Sequence, residues 1–146
     1  MKINRGPIEM LKGPSDQFTG DVYIDTVAAN PGPSGLQASQ VHCSPGARSA
    51  WHAHPLGETI FVTEGVGLVQ REGGLIKEVR PGDSVYFEAG ERHWQGAAGD
   101  RFVVYTAIEE AGADAAPVIW GEHVSDDEYA GRPVAAPVAA AVAVAG

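Results

Sequence analysis

The feature that most constrains this sequence is the frequent interruption of short apolar segments by glycine and proline. The chain of 146 residues holds 19 glycines and 10 prolines. Between them lie short segments rich in Val, Ile, Thr and aromatic residues, several with alternating apolar and polar positions. Short strands between turn residues are typical of β-sandwiches and barrels, and this density of helix-breaking residues excludes a helical bundle. The sequence therefore predicts an all-β fold.

The predicted strands follow from the positions of the turn residues. They cover residues 21–27, 37–44, 59–63, 66–71, 75–79, 84–88, 92–96 and 101–108. Gly73 and Gly74 predict a hairpin turn between two of these strands. Near the end of the chain, Ser125 and Glu128 have the spacing of a capping box, which predicts one short C-terminal helix.

The length of the chain fits one domain, which we place at residues 1–130. Beyond it, residues 133–146 consist only of Pro, Val, Ala and Gly. This segment is too short to cross a membrane and has no polar face. We therefore expect residues 131–146 to be a poorly ordered tail, either added for expression or docked on a partner subunit.

Charge and cysteine content exclude several classes of function. Lys and Arg total 10 against 19 Asp and Glu, a net charge of −9, so the chain lacks the basic footprint of a nucleic-acid binder. It shows no signal peptide and no run of about 18 apolar residues, so we expect no membrane partner. Cys43 is the single cysteine, which allows no internal disulfide and predicts a cytoplasmic protein with a small buried thiol.

Two of the five histidines form the segment His52-Ala53-His54. Residues two apart on a strand point to the same face, so the two imidazoles are predicted to lie side by side. Glu58 follows after a turn and begins an apolar strand, and His93 opens a later strand. Imidazoles and a carboxylate on neighbouring strands can bind a transition metal. We therefore predict His52, His54, Glu58 and His93 as metal ligands.

Three neutral imidazoles and one carboxylate give a divalent ion a net charge of about +1 and leave coordination positions open. Open positions are typical of catalytic metal sites, whereas structural sites are closed by protein ligands. Mixed nitrogen and oxygen ligands suit Mn, Fe, Ni, Zn, Co and Cu alike. The sequence therefore predicts a catalytic divalent metal without selecting its identity, and a small-molecule substrate.

The spacing of these residues resembles the two motifs of the cupin family. The fixed positions of the first motif are matched by Gly46, His52, His54, Glu58 and Gly65. The second motif is matched by Gly82, Gly90 and His93, with Glu88 in place of the usual Pro and Ala97 in place of the usual Asn. The resemblance implies a cupin double-stranded β-helix, which is a jelly-roll barrel, over about residues 20–110.

A closer resemblance is to the small bacterial cupins that include manganese-dependent hydroxynitrile lyases. It rests on residues 45–57, 70–74 and 90–94, and residues 18–20 and 122–124 also fit. The resemblance implies a homo-oligomer, a dimer or a tetramer, with manganese as the favoured metal. It also implies the reversible cleavage of a cyanohydrin into a carbonyl compound and cyanide.

This chain departs from those lyases at four positions. Glu58 stands where they carry Gln, Gln95 where they carry His, and their pockets also differ at Tyr105 and Glu109. A carboxylate ligand in place of an amide neutralises more of the charge of the metal and makes it a weaker Lewis acid. Gln95 shares the predicted ligand face with His93, and Tyr105 shares a strand face with Glu109. We take Gln95 and Tyr105 as candidate catalytic residues; a structural hydrogen bond and a core tyrosine are the alternatives.

Several other polar or aromatic residues are predicted to have structural roles. Strand alternation points His42 away from the barrel interior, and it places Trp51 and Trp94 on the outer face. Arg48 either holds an acidic partner or rims the pocket. The acidic pair Glu109-Glu110 is most simply a solvated surface.

Three hypotheses of function remain open from the sequence. The first is a metal-dependent lyase of the hydroxynitrile type, in which the metal stabilises developing negative charge. The second is an oxygenase, because three His and one Glu resemble the ligand set of oxygen-using cupins. The third is a non-catalytic barrel that binds a metal or a ligand.

Overall fold

The computed structural model describes residues 1–5, 10–29, 33–111, 117–131 and 134–135 of the chain. These ranges form short strands and one helix of four residues. The strands are β1 (Leu11–Lys12), β2 (Phe18–Thr19), β3 (Val22–Ala29), β4 (Leu36–Cys43), β5 (Arg48–Ser49), β6 (His52–Ala53), β7 (Glu58–Gly65), β8 (Gly67–Arg71), β9 (Lys77–Val79), β10 (Ser84–Phe87), β11 (His93–Ala97), β12 (Val103–Glu110), β13 (Ile119–Trp120) and β14 (Val134–Ala135), and the helix is α1 (Asp126–Tyr129). The all-β fold with a short C-terminal helix is confirmed.

The strands form two curled sheets that face each other across a common interior. The first sheet has the order β1-β3-β4-β12-β7-β10, and the second has the order β13-β6-β11-β8-β9-β14. In addition, β5 pairs with β11, and β2 pairs with β5. The chain passes repeatedly between the sheets, for example from β7 to β8, back from β9 to β10 and across again from β10 to β11. This connectivity is that of a jelly-roll barrel.

The main hydrophobic core fills the space between the two sheets. It comprises Val22, Val41, Cys43, Ala47, Ile60, Val62, Val69, Val79, Phe87, Ala97, Val103 and Tyr105. Strand alternation decides which residues enter it. On β7, for example, Glu58 and Ile60 point inward and are buried, whereas Phe61 points outward and is 43% exposed. The predicted buried thiol of Cys43 is confirmed, because it belongs to this core.

A second apolar cluster covers the outer face of the second sheet. It contains Trp51, Leu68, Ile76, Trp94 and Val124, with Tyr129 of α1 packed against it. The outer-face packing predicted for the two tryptophans is confirmed. Val124 and Tyr129 belong to residues 117–131, which we call the C-terminal segment. This segment packs on the second sheet and shields it from solvent.

A buried arginine anchors the C-terminal segment to the barrel. Arg48 donates to the backbone carbonyl of Val124 over 2.7 Å and to the carboxylate of Asp126 over 2.9 Å. Of the two alternatives for Arg48, the structure shows the acidic partner. The helix itself begins as predicted, since Ser125 and Glu128 form a reciprocal capping box.

The long strands agree with the sequence prediction, and the very short ones were missed. β1, β2, β5, β6 and β13 have two residues each, which is too short for any alternation to be detected. In the tail, β14 pairs in parallel with β9. Residues 132–133 and 136–146 lie outside the described residues, so the predicted disorder of the tail and the domain boundary at residue 130 stay predictions. Within the described ranges, no helix is long and apolar enough to cross a membrane.

Candidate metal centre

Strand register brings the predicted ligands to one place in the barrel. In the second sheet, His52 of β6 lies directly opposite His93 of β11. In the first sheet, Glu58 opens β7 with its side chain pointing toward them. His54 follows β6 by one residue, so it is not itself in the strand, yet its ring still lies beside that of His52, with ring centroids 5.1 Å apart. Both sheets therefore contribute to one cluster.

A tight turn lets the chain return from His54 to Glu58. Gly57 has a φ of +84°, a backbone conformation that side chains with a Cβ rarely adopt. A Cβ at this position would also lie 2.8 Å from the carbonyl oxygen of Phe87. The carbonyl of His54 accepts hydrogen bonds from the backbone N–H groups of Gly57, over 3.1 Å, and Gly90, over 2.9 Å. The second bond ties the turn to the loop that precedes His93.

The four side chains form a compact and buried group. One possible ligand atom from each of His52, His54, Glu58 and His93 lies within 4.8 Å of the others. All four residues are buried, with exposed fractions of 0 to 7%. This geometry is suited to holding one metal ion. A group of this size with only one carboxylate is also better explained by an ion than by hydrogen bonding among its members.

The second ring nitrogen of each histidine is held by a partner outside the group. The Nδ1–H groups of His52 and His93 donate to the backbone carbonyls of Ala50, over 2.9 Å, and Glu91, over 2.7 Å. Nδ1 of His54 contacts the carboxylate of Glu109. These bonds turn the Nε2 atoms toward the centre, as the hydrogen-bond partners of metal-binding imidazoles do.

The Nε2 atom of His54 indicates whether these residues fit a metal ion. Its Nε2 is buried and makes no well-directed hydrogen bond, although it lies 3.0 Å from Oε2 of Glu58. A buried polar atom without a partner costs free energy unless something binds it. A metal ion would satisfy this atom, so the residues present fit a divalent cation.

The electrostatics of the group differ from one histidine to the next. Burial, and next the neighbouring His93, lower the pKa of His52 to about 4, so this ring is neutral and ready to bind a metal. Burial would also lower the pKa of His54, but contacts with Glu109 and Glu58 outweigh burial and raise this pKa to about 9. Burial would raise the pKa of Glu58, but contacts with His54 and His93 hold it well below its usual range. Glu58 is therefore ionised.

Of the two candidate catalytic residues, Gln95 is bonded to the group, and Tyr105 lies in the adjoining hydrophobic core. Gln95 is buried, and its Nε2 donates to Oε1 of Glu58 over 2.9 Å, while its Oε1 has no hydrogen-bond partner. Tyr105 points inward from β12 and is buried with Gln95 and Cys43 beside it. Burial raises the pKa of Tyr105 well above its ordinary value, so the hydroxyl stays protonated.

One sequence prediction about this region is wrong. Glu109 is not a simply solvated residue, because its carboxylate contacts Nδ1 of His54 and its side chain is 29% exposed. Register brings it there, since Glu109 of β12 lies directly opposite Glu58 of β7. The sequence did carry one indication that Glu109 lies near the site, because strand alternation placed it on the same face as the candidate residue Tyr105. The predicted outward position of His42 is borne out, since Nε2 of His42 lies 3.6 Å from the Asp25 carboxylate outside the core.

Two cavities lie near the barrel interior. The smaller, of about 240 Å³, is lined by Gln37, His54, Pro55, Glu109, Glu110, Ala111, Pro117 and Val118, so His54 is the one grouped residue on its wall. The larger, of about 680 Å³, lies between the β8–β9 hairpin and β10, and none of the four clustered residues lines it. Of these two cavities, the smaller is the better candidate for a substrate entrance, because it contacts the group through His54. Its size suits a ligand smaller than a drug-sized molecule, which needs roughly 300–1,000 Å³.

Comparison with known proteins agrees with this architecture. The cupin domain model matches residues 39–109. An (R)-mandelonitrile lyase from Granulicella tundricola is 49% identical over 130 residues, which is 88% of this chain and 98% of that protein. Among solved structures, a cupin-like protein from Thermotoga maritima is 34% identical, with a TM-score of 0.78 over 86% of this chain and 95% of that one.

A more distant likeness concerns the fold alone. The polyketide cyclase RemF from Streptomyces resistomycificus is 18% identical, with a TM-score of 0.70 over 88% of this chain and 89% of that one. Three observations point to the same family. They are the jelly-roll topology, the grouped histidines and glutamate, and the extent of the matches to the Granulicella and Thermotoga proteins. The chain belongs to the cupin family.

Proposed function

We propose that this protein is a metal-dependent cupin lyase that cleaves a cyanohydrin into a carbonyl compound and cyanide, reversibly. In the cleavage the hydroxyl proton is removed, the bond between the carbinol carbon and the nitrile carbon breaks, and its electron pair leaves with cyanide. The proton then ends on cyanide, so that hydrogen cyanide and an aldehyde or ketone are formed.

One observation carries this proposal. The buried His52, His54, Glu58 and His93 group, suited to a metal, occurs in a chain that is 49% identical to the Granulicella mandelonitrile lyase over nearly the whole length of that protein. A small cavity is lined by His54 of this group and offers room for a small substrate beside it. Fold, grouped residues and cavity together support the proposal.

The four grouped residues are proposed as the ligands of one divalent ion. Such an ion supplies a Lewis acid that binds a substrate oxygen and stabilises the negative charge that develops on it. Manganese is the favoured metal by resemblance, while iron, nickel, zinc, cobalt and copper accept the same donors. The bonds that hold each Nδ1 atom keep the three imidazoles oriented for this role.

Gln95 and Tyr105 are proposed to position the substrate and the leaving group. The free Oε1 of Gln95 can accept a hydrogen bond from a hydroxyl group, while its Nε2 is already used by Glu58. The protonated hydroxyl of Tyr105 can donate to a group that becomes negative. Both roles are those of hydrogen-bonding groups, because neither residue is ionised at neutral pH.

Cyanide release from mandelonitrile tests this proposal. Protein reconstituted with Mn²⁺ should release cyanide faster than the metal-free protein, and His54→Ala should lose this release. His123→Ala is a matched control, because the His123 ring shares a hydrogen bond with the Thr19 hydroxyl and lies outside the group. Release no faster than that of metal-free protein, with every metal named above, would contradict the lyase.

A metal-dependent oxygenase is the second candidate function. It is favoured by Glu58, since a carboxylate ligand completes the three-His, one-Glu set of oxygen-using cupins and makes the metal a weaker Lewis acid. It predicts oxygen uptake by protein loaded with iron, copper or nickel in the presence of an enediol or a phenol. Uptake without any cyanide release would favour this function over the lyase.

The protein is further proposed to be a cytoplasmic homo-oligomer. The free, buried Cys43 suits a reducing compartment. The outer face of the first sheet carries exposed Tyr23, Phe61, Tyr86 and Ile108. A second copy of this chain could cover these exposed apolar side chains. Sedimentation of Phe61→Glu, with Glu64→Gln as control, tests the contact.

A further inference from the structure

A second carboxylate stands directly behind the metal centre. Glu109 of β12 lies opposite Glu58 of β7, so the two side chains come from neighbouring strands on the inward face. The carboxylate of Glu109 contacts Nδ1 of His54, on the side of the ring that faces away from the other ligands. The same residue lines the cavity of about 240 Å³, together with His54.

This partner differs in kind from those of the other two imidazoles. His52 and His93 are held by backbone carbonyls, which are neutral and fixed by the strands. His54 is held by a charged side chain that is 29% exposed. A carboxylate that accepts the Nδ1–H bond fixes the tautomer and the orientation of the ring, and it makes Nε2 a stronger donor to the metal.

We propose that Glu109 positions His54 for metal binding and, as the second carboxylate of the centre, makes the site selective for neutral over anionic ligands. The formal charge of a divalent ion with Glu58 is +1, and Glu109 brings it to 2 − 1 − 1 = 0. Among the described residues that line the cavity, none is Lys or Arg. An anion entering by this route therefore meets no net attraction.

The inference rests on the four-residue metal centre of the proposed function, but it does not depend on the reaction. Its tests therefore use metal affinity, an imidazole spectrum and simple ligands, none of which requires cyanohydrin turnover. If the protein released no cyanide, the measurements of metal and ligand binding would still test the role of Glu109. If the role of Glu109 were contradicted, the cyanide assay would still test the lyase.

The positioning role is tested with Glu109→Ala, which removes the acceptor, and Glu109→Gln, which keeps an acceptor oxygen without the charge. Competition with a chelator for Mn²⁺ should show affinity reduced by about 10–100-fold in Glu109→Ala, and less in Glu109→Gln. Glu110→Gln is the matched control, because it removes a charge from the same cavity without contacting His54. An affinity of Glu109→Ala within twofold of the wild type would overturn the positioning role.

A nuclear magnetic resonance spectrum of the zinc-loaded protein separates positioning from a general loss of structure. The wild type should show three protected imidazole N–H signals, one for each held Nδ1–H. Glu109→Ala should lose the signal of His54 and keep those of His52 and His93, whose partners are backbone carbonyls. Retention of all three signals would overturn the proposal, and loss of all three would show a collapsed site and also contradict it.

The charge role is tested with two ligands of similar size, acetate and acetamide, titrated into cobalt-loaded protein and followed by its visible absorption. Glu109→Gln should bind acetate about fivefold or more tightly than the wild type, because one nearby negative charge is removed. Acetamide binding should stay within twofold, and Glu110→Gln should change acetate binding less. Unchanged acetate binding in Glu109→Gln, or an equal gain for acetamide, would overturn the selectivity.

Discussion

The side-chain amide of Gln95 donates a hydrogen bond to the carboxylate of Glu58 over 2.9 Å, and this bond joins the two sheets at the metal centre. The backbone N–H of Gln95 is held in turn by the hydroxyl of Ser49 over 3.1 Å. Gln95 therefore restrains a proposed ligand from a position that is itself fixed. It acts on Glu58 directly, and its free Oε1 remains for a bound molecule.

Replacing Gln95 with Ala should weaken metal binding. The carboxylate of Glu58 would lose its one well-placed amide donor, and outer-shell partners of this kind are worth about 10-fold or more in metal affinity. Chelator competition for Mn²⁺ measures the change, and Gln40→Ala on the outer face of β4 serves as control. Equal affinities in the two variants would mean that the hydrogen bond does not support the ligand.

Removal of the metal should lower the thermal stability of the wild type, but not that of His54→Ala. A ligand that binds only the folded state stabilises it by about 2.7 kcal/mol when its free concentration is 100 times Kd. His54 supplies one of the four proposed ligands, so its loss should abolish most of this effect. Thermal unfolding with Mn²⁺ and with chelator measures it, and His123→Ala should keep the wild-type shift. A full metal-dependent shift in His54→Ala would exclude His54 as a ligand.

Phe87→Ala should destabilise the protein and disturb His93. The ring of Phe87 is stacked on that of His93, with centroids 3.6 Å apart and planes at 7°, and Phe87 is only 3% exposed. Truncation of a buried Phe to Ala costs about 3–5 kcal/mol in the free energy of unfolding. Urea denaturation should show this loss, whereas Leu75→Ala, at a residue 66% exposed, should change stability by about 0.5 kcal/mol or less. A cost below about 1 kcal/mol for Phe87→Ala would contradict the packing role.

The free energy of unfolding should fall as the pH rises from 9 toward 12, in part because of Cys43. Burial raises the pKa of this thiol from an ordinary value of 9.0 to about 12. The unfolded chain therefore loses the thiol proton first, so the contribution of Cys43 is fully present below pH 9 and is lost as the pH approaches 12. The slope from one group is at most about 1.4 kcal/mol per pH unit.

Urea denaturation of the wild type and of Cys43→Ala at pH 8, 9, 10 and 11 measures this contribution. The variant should lose stability less steeply above pH 9, since it has no thiol to ionise and since the neighbouring Cys43, after burial, also contributes to the raised pKa of Tyr105. Parallel profiles would show that the thiol of Cys43 is not the cause.

The sequence alone determined the fold class and the residue types of the site. Alternating strands between turn residues predicted an all-β sandwich or barrel, because strands place alternate residues on one buried face. The spacing of His52, His54 and Glu58 also carried local information, since a two-residue step and a short turn keep these side chains close. His93, by contrast, reaches them through the pairing of β6 with β11. The capping box at Ser125 is a local motif of the same kind, and it forms as predicted.

The tertiary structure alone decided the roles that depend on register between distant strands. Glu109 reaches His54 only because β12 pairs with β7 so that Glu109 lies opposite Glu58, and no local pattern encodes that register. The same applies to Phe87, which pairs with Glu58 across β10 and β7 and so lies on His93. Short pairings such as β5 with β11 are likewise invisible in sequence, because two residues show no period. The sequence thus determined which groups can bind a metal, and long-range pairing determined which groups surround them and set the charge of the site.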